Sequence, residues 1–302
     1  MGTIVCGIDD SSGARRAASV AARLANDLDS RAVLVHVVEH DARSTHSLAP
    51  PRVTRESTIK KTLETIADGH GFPPGTQVHL EAGNPVAGLF RAASECDAEL
   101  LVVAARGVGH VKAALLGSVS SALMRKSPCP VVVVPPNSIQ ALDAASTQPV
   151  VCGVEGSERD PRVLRLGADL ANRLGGELHA VHAFEVPVAH AAAPAALSPP
   201  IDVARRNRAE RTLVDALEEA GVDARMHVSP LAPHEALERV AHEQRAALIV
   251  VGLQGRAKLG SILHGSVTTR LAACGSTPAV VLPGDAQLAV GSGHYELTAG
   301  AA

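Results

Sequence analysis

Gly252, Gly255, Gly265 and Ser266 form a G-x2-G-x9-G-S pattern that runs from the end of an apolar stretch, through a loop, into a helical stretch. Each part has a physical use. Glycine lets the backbone turn sharply and approach a phosphate with no Cβ in the way. The unpaired N–H groups at a helix start favour an anion. Ser266 and Thr268 add hydroxyl donors, and Ser266 is also a good N-cap. An earlier stretch carries Ala104, Gly107, Gly117, Ser118 and Ser120 at the matching positions. Together, spacing and context point to a phosphate-binding loop in duplicate.

Other chemistries fit less well. There are 14 histidines but no HxH or HExxH spacing, so no metal site is expected. His36 and His182, and likewise His79 and His227, stand at equivalent places in two repeats, which suggests shared structural roles such as a hydrogen bond at a strand end. Gly260-Ser261 and Gly265-Ser266 lack the lysine of a P-loop, and CGIDDSSG does not supply GxGxxG after the first strand. Ser118, Ser120 and Ser121 have no nearby histidine and aspartate in a hydrolase arrangement, and capping is their simpler role. Asp9 and Asp10 are adjacent on an extended chain and point to opposite faces, unlike a general acid–base pair. Arg106 and Arg256 are cations beside the glycines, read as solvated loop arginines, and no base accompanies them. No catalytic residue is expected.

The elements that must position these residues come in two copies. TIVCGIDDSS, from Thr3, recurs as PVVCGVEGSE, from Pro149, matching Cys6 with Cys152 and Asp9 with Glu155 at an offset of 146. Gly107 matches Gly255, Gly117 matches Gly265 and Pro130 matches Pro278 at an offset of 148, so the copies are collinear. In the first copy, Thr3–Ile8 reads as a buried strand and Ala14–Leu28 as an amphipathic helix. Then follow a strand over Ala32–Val38, a Pro/Ser/His-rich loop over 40–55, a helix over Arg55–His70 and a strand over Gln77–Glu81. A helix from Pro85, a strand over Leu100–Ala104, a helix over Ser118–Arg125 and a strand over Val131–Val134 complete it. Strand–helix alternation implies an α/β fold of two tandem flavodoxin-like, Rossmann-like domains. Each is expected to be a five-stranded parallel sheet of order 3-2-1-4-5 with helices on both faces. Ligands in such sheets bind where the order reverses, between the first and fourth strands. Domains are expected over 1–136 and 149–284, with a linker over 137–148 and a mobile tail over 285–302. Residues 186–202 read as an Ala/Pro loop. The last strands, Val131–Val134 and Ala279–Leu282, would be exposed edges unless paired.

Composition narrows the function. A chain of 302 residues, 46% hydrophobic and 20% charged, can bury two ordinary cores. With aromatics at 1%, those cores must be built from Val, Leu, Ile and Ala. A formal net charge of −3, no basic run and no aromatic platforms argue against nucleic acid. Five cysteines without CxxC spacing read as small buried hydrophobes in a reducing, cytoplasmic compartment. No signal peptide or membrane span is expected.

GLQGRAKLGSILHGSVTTRL resembles the ATP-binding signature of universal stress proteins, and VCGIDDSS resembles their first-strand acidic motif. The resemblance covers nearly the whole chain, in both copies, and is to tandem members of actinobacterial type. It implies ATP as ligand, with or without Mg2+, one per domain, in a cytoplasmic regulatory protein that answers stress. It further implies pairing of domains through their last strands, a homodimer and an unidentified regulatory protein partner. Carried over by residue, Asp9 takes the acidic position near ribose and phosphates, and Gly107, Gly117 and Ser118 match later elements of the signature. Ala104 replaces its first glycine, placing one methyl near the expected ribose. Gly252, Gly255, Gly265 and Ser266 keep the full set in the second copy, where Glu155 replaces the aspartate. The backbone at Val37 and Ala183 corresponds to the adenine position. The alternative use of the fold is a scaffold that binds no nucleotide and acts through protein contacts.

Overall fold

The computed structural model describes residues 1–39, 52–106, 116–138, 147–184, 199–253, 267–284 and 286. The first half runs β1 (Thr3–Gly7), α1 (Ser12–Asp27), β2 (Arg31–Val38), α2 (Arg52–Gly69), β3 (Gln77–Ala82), α3 (Pro85–Glu95), β4 (Leu100–Ala104), α4 (Ser118–Lys126) and β5 (Val131–Val134). The second runs β6 (Val150–Gly153), α5 (Asp160–Arg173), β7 (Leu178–Ala183), α6 (Pro199–Ala220), β8 (Arg225–Ser229), α7 (Pro233–Gln244), β9 (Leu248–Gly252), α8 (Val267–Cys274) and β10 (Ala279–Leu282). Local chemistry sets the helix starts. Ser11 Oγ accepts the N–H of Ala14 at 3.1 Å to cap α1. Asn84 accepts from Val86 and Ala87 ahead of α3, which opens on Pro85.

The ten strands form one sheet of order β3-β2-β1-β4-β5-β10-β9-β6-β7-β8. Within each half the pairs are parallel, and the order is 3-2-1-4-5 in both. The last strands meet antiparallel, with Val280 opposite Val132, so these apolar edges close on each other within one chain. Period-2 alternation of the valine strands feeds two cores. Val132 and Val134 face the layer of α1, α2, α5 and α6, while Val131 and Val133 face that of α3, α4, α7 and α8. Both clusters contain residues from both halves.

Three sequence expectations need correction. α2 and α6 begin inside the stretches expected to be loops, 40–55 and 186–202. Proline is well suited to a helix's first position, so Pro199 opens α6 rather than breaking it. Residues 40–51 and 185–198 lie outside the described residues. The expected linker includes Gln148, which is buried and donates to Asp27 Oδ2 at 3.0 Å, and the expected tail includes Ala286, also buried. Of the cysteines, Cys6, Cys129 and Cys152 are buried, but Cys96 is half-buried and Cys274 exposed. Burial pushes the Cys129 thiol up to about 11, and drives Cys6 and Cys152 further up.

Candidate functional site

A cleft opens in each half at the carboxyl ends of the strands, where the sheet order reverses. The first, about 470 Å3, is lined by Asp9, His36, Val37, Ala104, Arg106, Gly117, Ser118 and Ser120, among others. The second, about 240 Å3, is lined by Glu155, Arg159, Asp160, His182, Ala183 and Gly252, with Val267 at the start of α8.

The first cleft is shaped by contacts among short loops. Asp9 Oδ1 accepts the N–H of Ser11 at 3.0 Å and also its hydroxyl, so the carboxylate is fixed by the residue that caps α1. His36 Nδ1 donates to the Ile8 carbonyl at 2.9 Å, and His182 Nδ1 to the Val154 carbonyl at 2.8 Å. The strand-end hydrogen bond expected of this repeated pair is present in both halves. The Gly117 N–H donates to the Ala105 carbonyl at 2.8 Å, pinning the start of α4 to the end of β4. A Cβ there would sit 3.1 Å from that same carbonyl, tighter than nearly all real contacts. The Ala104 methyl packs toward the α1 layer: a Cβ placed on Gly13 would be 3.0 Å from it and 2.7 Å from the Arg106 carbonyl.

The second cleft is built differently at the same place. Asp160, 3% exposed, accepts through Oδ2 from the N–H groups of Glu155, Gly156 and Ser157 at 3.1, 2.7 and 2.8 Å. Its Oδ1 accepts the Ser157 hydroxyl at 2.9 Å. Three successive N–H groups make an anion-binding nest, and here a side chain of the same chain fills it. Gly156, at φ +83°, supplies the left-handed turn this requires. α5 consequently starts two residues later than α1 does in the first half, at Asp160 rather than Glu158.

Asp9, Val37, Ala104, Gly117, Ser118 and Ser120 thus come together in the first cleft, and Glu155, Ala183 and Gly252 in the second. Gly107, Gly255, Gly265 and Ser266 lie outside the described residues. Two hydroxyls expected as ligand donors are buried. Ser120 is buried and donates to the Ala105 and Gly117 carbonyls at 2.9 and 3.0 Å, and Thr268 is buried at the start of α8 and does not line the cleft. Among the described residues no group of three or more His, Cys, Asp or Glu could hold a metal, and no helix is long and apolar enough to cross a membrane.

Sequence reasoning missed Arg159, the cation that lines the second cleft. It sits in a stretch without glycine pattern, and the glycines drew attention to Arg106 and Arg256 only. The only signal was its equivalence, at the offset of 146, to Gly13. It also missed that His227 and His79 play different roles. His227 Nε2 meets His179 Nδ1 at 2.9 Å, whereas the first half has Val33 where the second has His179.

Comparison with known proteins agrees with the duplicated architecture. The model of the universal stress protein family matches twice, over residues 1–135 and 146–283. A universal stress protein of Mycobacterium tuberculosis (strain ATCC 25618 / H37Rv) is 31% identical over 292 residues, covering 92% of this chain and 95% of that protein. One of Mycolicibacterium smegmatis is 28% identical over 307 residues, covering 92% and 96%. Among solved structures, a universal stress protein of Archaeoglobus fulgidus aligns over 93% of this chain and 98% of its own with a TM-score of 0.63, at 19% identity. With both halves matched and tandem relatives spanned almost end to end, this chain belongs to the universal stress protein family.

Proposed function

We propose that this chain is a regulatory nucleotide-binding protein without catalytic activity, taking ATP at the switch point of each half. The observation that carries this reading is the duplicated cleft, with a carboxylate after the first strand on one side and a helix start on the other. Adenine would lie against the backbone at Val37 and Ala183, ribose near Asp9 and Glu155, and phosphates toward Gly117–Ser118 and Gly252. The two clefts differ in volume. About 470 Å3 lies within the roughly 300–1,000 Å3 usual for small-molecule sites, and about 240 Å3 falls below it. The first cleft is therefore the roomier one, despite Ala104. A cytoplasmic role in stress, with ATP occupancy read by a protein partner, follows from the same reading. A homodimer would need a surface other than the last strands, which already pair within one chain.

A second reading, a scaffold that binds no nucleotide, draws on Asp160, which already fills the N–H nest of the second half. Denaturing freshly purified protein and counting released adenine nucleotide separates the two. About two per chain supports both sites. About one, lost on Gly117→Val, assigns it to the first cleft. None, with a Tm unmoved by saturating ATP-Mg, overturns the nucleotide reading in favour of the scaffold.

A further inference from the structure

The two clefts differ most at one pair of equivalent positions, Gly13 and Arg159. In the first half Gly13 lies against Ala104 and the Arg106 carbonyl, with no space for a side chain. In the second, Gly252 replaces Ala104, and the long side chain of Arg159 occupies the cleft wall. Its Nη1 donates to the Leu253 carbonyl at 2.5 Å, one residue past β9. The guanidinium rests on Gly284, where a Cβ would stand 3.4 Å from both terminal nitrogens. Arg162, one turn on, donates to the Gly284 and Ala286 carbonyls and holds that segment against α5. The Arg159 head group is thereby fixed at the root of the chain that leads from β9 to α8.

Nothing in the helix calls for this cation. Arg159 is the N-cap of α5, makes no side-chain capping bond, and places positive charge at the positive end of the helix dipole. Its planar fork has five donors, suited to bidentate recognition of phosphate, and one of them is engaged by Leu253.

We propose that Arg159 is a specificity-determining residue that makes the second cleft select nucleotides by phosphate charge, favouring a nucleoside triphosphate over a monophosphate, a role for which the first cleft has only Gly13 at the equivalent position. The role rests on the nucleotide reading of the clefts. A phosphate chain entering between Gly252 and the start of α8 meets the guanidinium at the mouth, and each added negative charge strengthens a charge-assisted contact.

The test is calorimetric titration of the full chain with ATP and with AMP, in the Gly117→Val background that blocks the first cleft, with and without Arg159→Met. Methionine keeps the apolar stem over Gly284 and removes only the charge; circular dichroism and Tm verify the fold. The expected result is ATP weakened at least about tenfold and AMP by less than about threefold, with Arg159→Lys recovering part of the ATP affinity. Equal losses for ATP and AMP, or no loss, overturn the proposal. Tighter ATP binding by Arg159→Met also overturns it, since the arginine would then be a plug. Nucleotide bound by the unsubstituted chain but not by Gly117→Val overturns it as well, because the second cleft would be empty. Failure of the unsubstituted chain to bind either nucleotide instead overturns the nucleotide reading on which the role rests.

Discussion

His179 and His227 stack with ring centroids 5.1 Å apart and planes 23° from parallel, sharing one hydrogen bond between β7 and β8. Burial holds both imidazoles below their ordinary value near 6.5; the His227 ring adds to the effect at His179, and Arg225 lowers both. Arg239 lowers His227 further, while Glu177 and Glu243 work in the opposite direction. The buried Nε2 of His179 makes no hydrogen bond, and Glu177 Oε2 stands 4.0 Å away, so a proton arriving there would be poorly solvated. The folded pKa values lie below the unfolded ones. The unfolded chain therefore binds more protons below about pH 6.5, and the stability this pair permits is full above that value and lost as pH falls. Tm is expected to drop between about pH 7.5 and about pH 5.5, and to drop less in His179→Val, which installs the residue found at Val33. His234, lowered by burial and by Arg270, acts with the same sign in both proteins and cancels in the comparison. Parallel pH curves for the two proteins would rule out the pair as the origin of the slope.

At the scale of elements, the start of α1 shows how closely the first cleft is packed. Gly13→Ala places a methyl 2.7 Å from the Arg106 carbonyl and 3.0 Å from Ala104 Cβ, and the backbone carbonyl cannot rotate aside as a flexible side chain could. The helix propensity gained, up to about 1 kcal/mol, is outweighed by strain of roughly 1–3 kcal/mol. Urea unfolding is expected to show a net loss of about 1–2 kcal/mol, with less nucleotide retained in the first cleft. A more stable Gly13→Ala protein would mean that α1 slides away without cost. This packing was not legible in the sequence, because the helical pattern of Ala14–Leu28 leaves Gly13 just outside it and shows nothing of its neighbours across the fold. Strand identities were legible, since Leu100–Ala104, Val131–Val134 and Ala279–Leu282 are continuous β-branched or aliphatic runs whose burial demands a sheet. The strand order followed from alternation with helices. Asp160 and Arg159 were hidden because the two halves keep the same sequence spacing here while folding it differently, with α5 starting two residues later than α1. A carboxylate three residues further on captures the nest, and no spacing rule records that. The burial of Ser120 and Thr268 was not legible either, because helix starts offer hydroxyls two uses and the sequence pattern does not decide between them.

The whole molecule is held together by two devices of opposite character. The β5–β10 joint is entirely apolar and buried, while the seam beside it is charged. Arg173, at the end of α5, donates to Glu99 Oε2 at 2.8 Å and to the Leu28 carbonyl at 2.9 Å, both in the other half. Its equivalent at the offset of 146 is Asp27, which accepts from Gln148 across the same boundary. Equivalent positions thus carry opposite charges, so the seam is asymmetric although the halves are copies. Glu99 is only 12% exposed in this pair, and the Glu99 interaction holds the Arg173 guanidinium above its ordinary value. In Arg173→Met the carboxylate would keep its contact with Ser30 but lose its cation. The cost is roughly 1–3 kcal/mol, below that of breaking a fully buried pair because Arg173 is 30% exposed. Since both core clusters and the sheet run through the two halves, that cost should fall on the molecule as a unit. Calorimetry is expected to show a single transition that moves to lower temperature in Arg173→Met without dividing. If the variant instead melts in two steps, the seam is what couples the halves, and the valine joint alone cannot make ten strands one cooperative sheet.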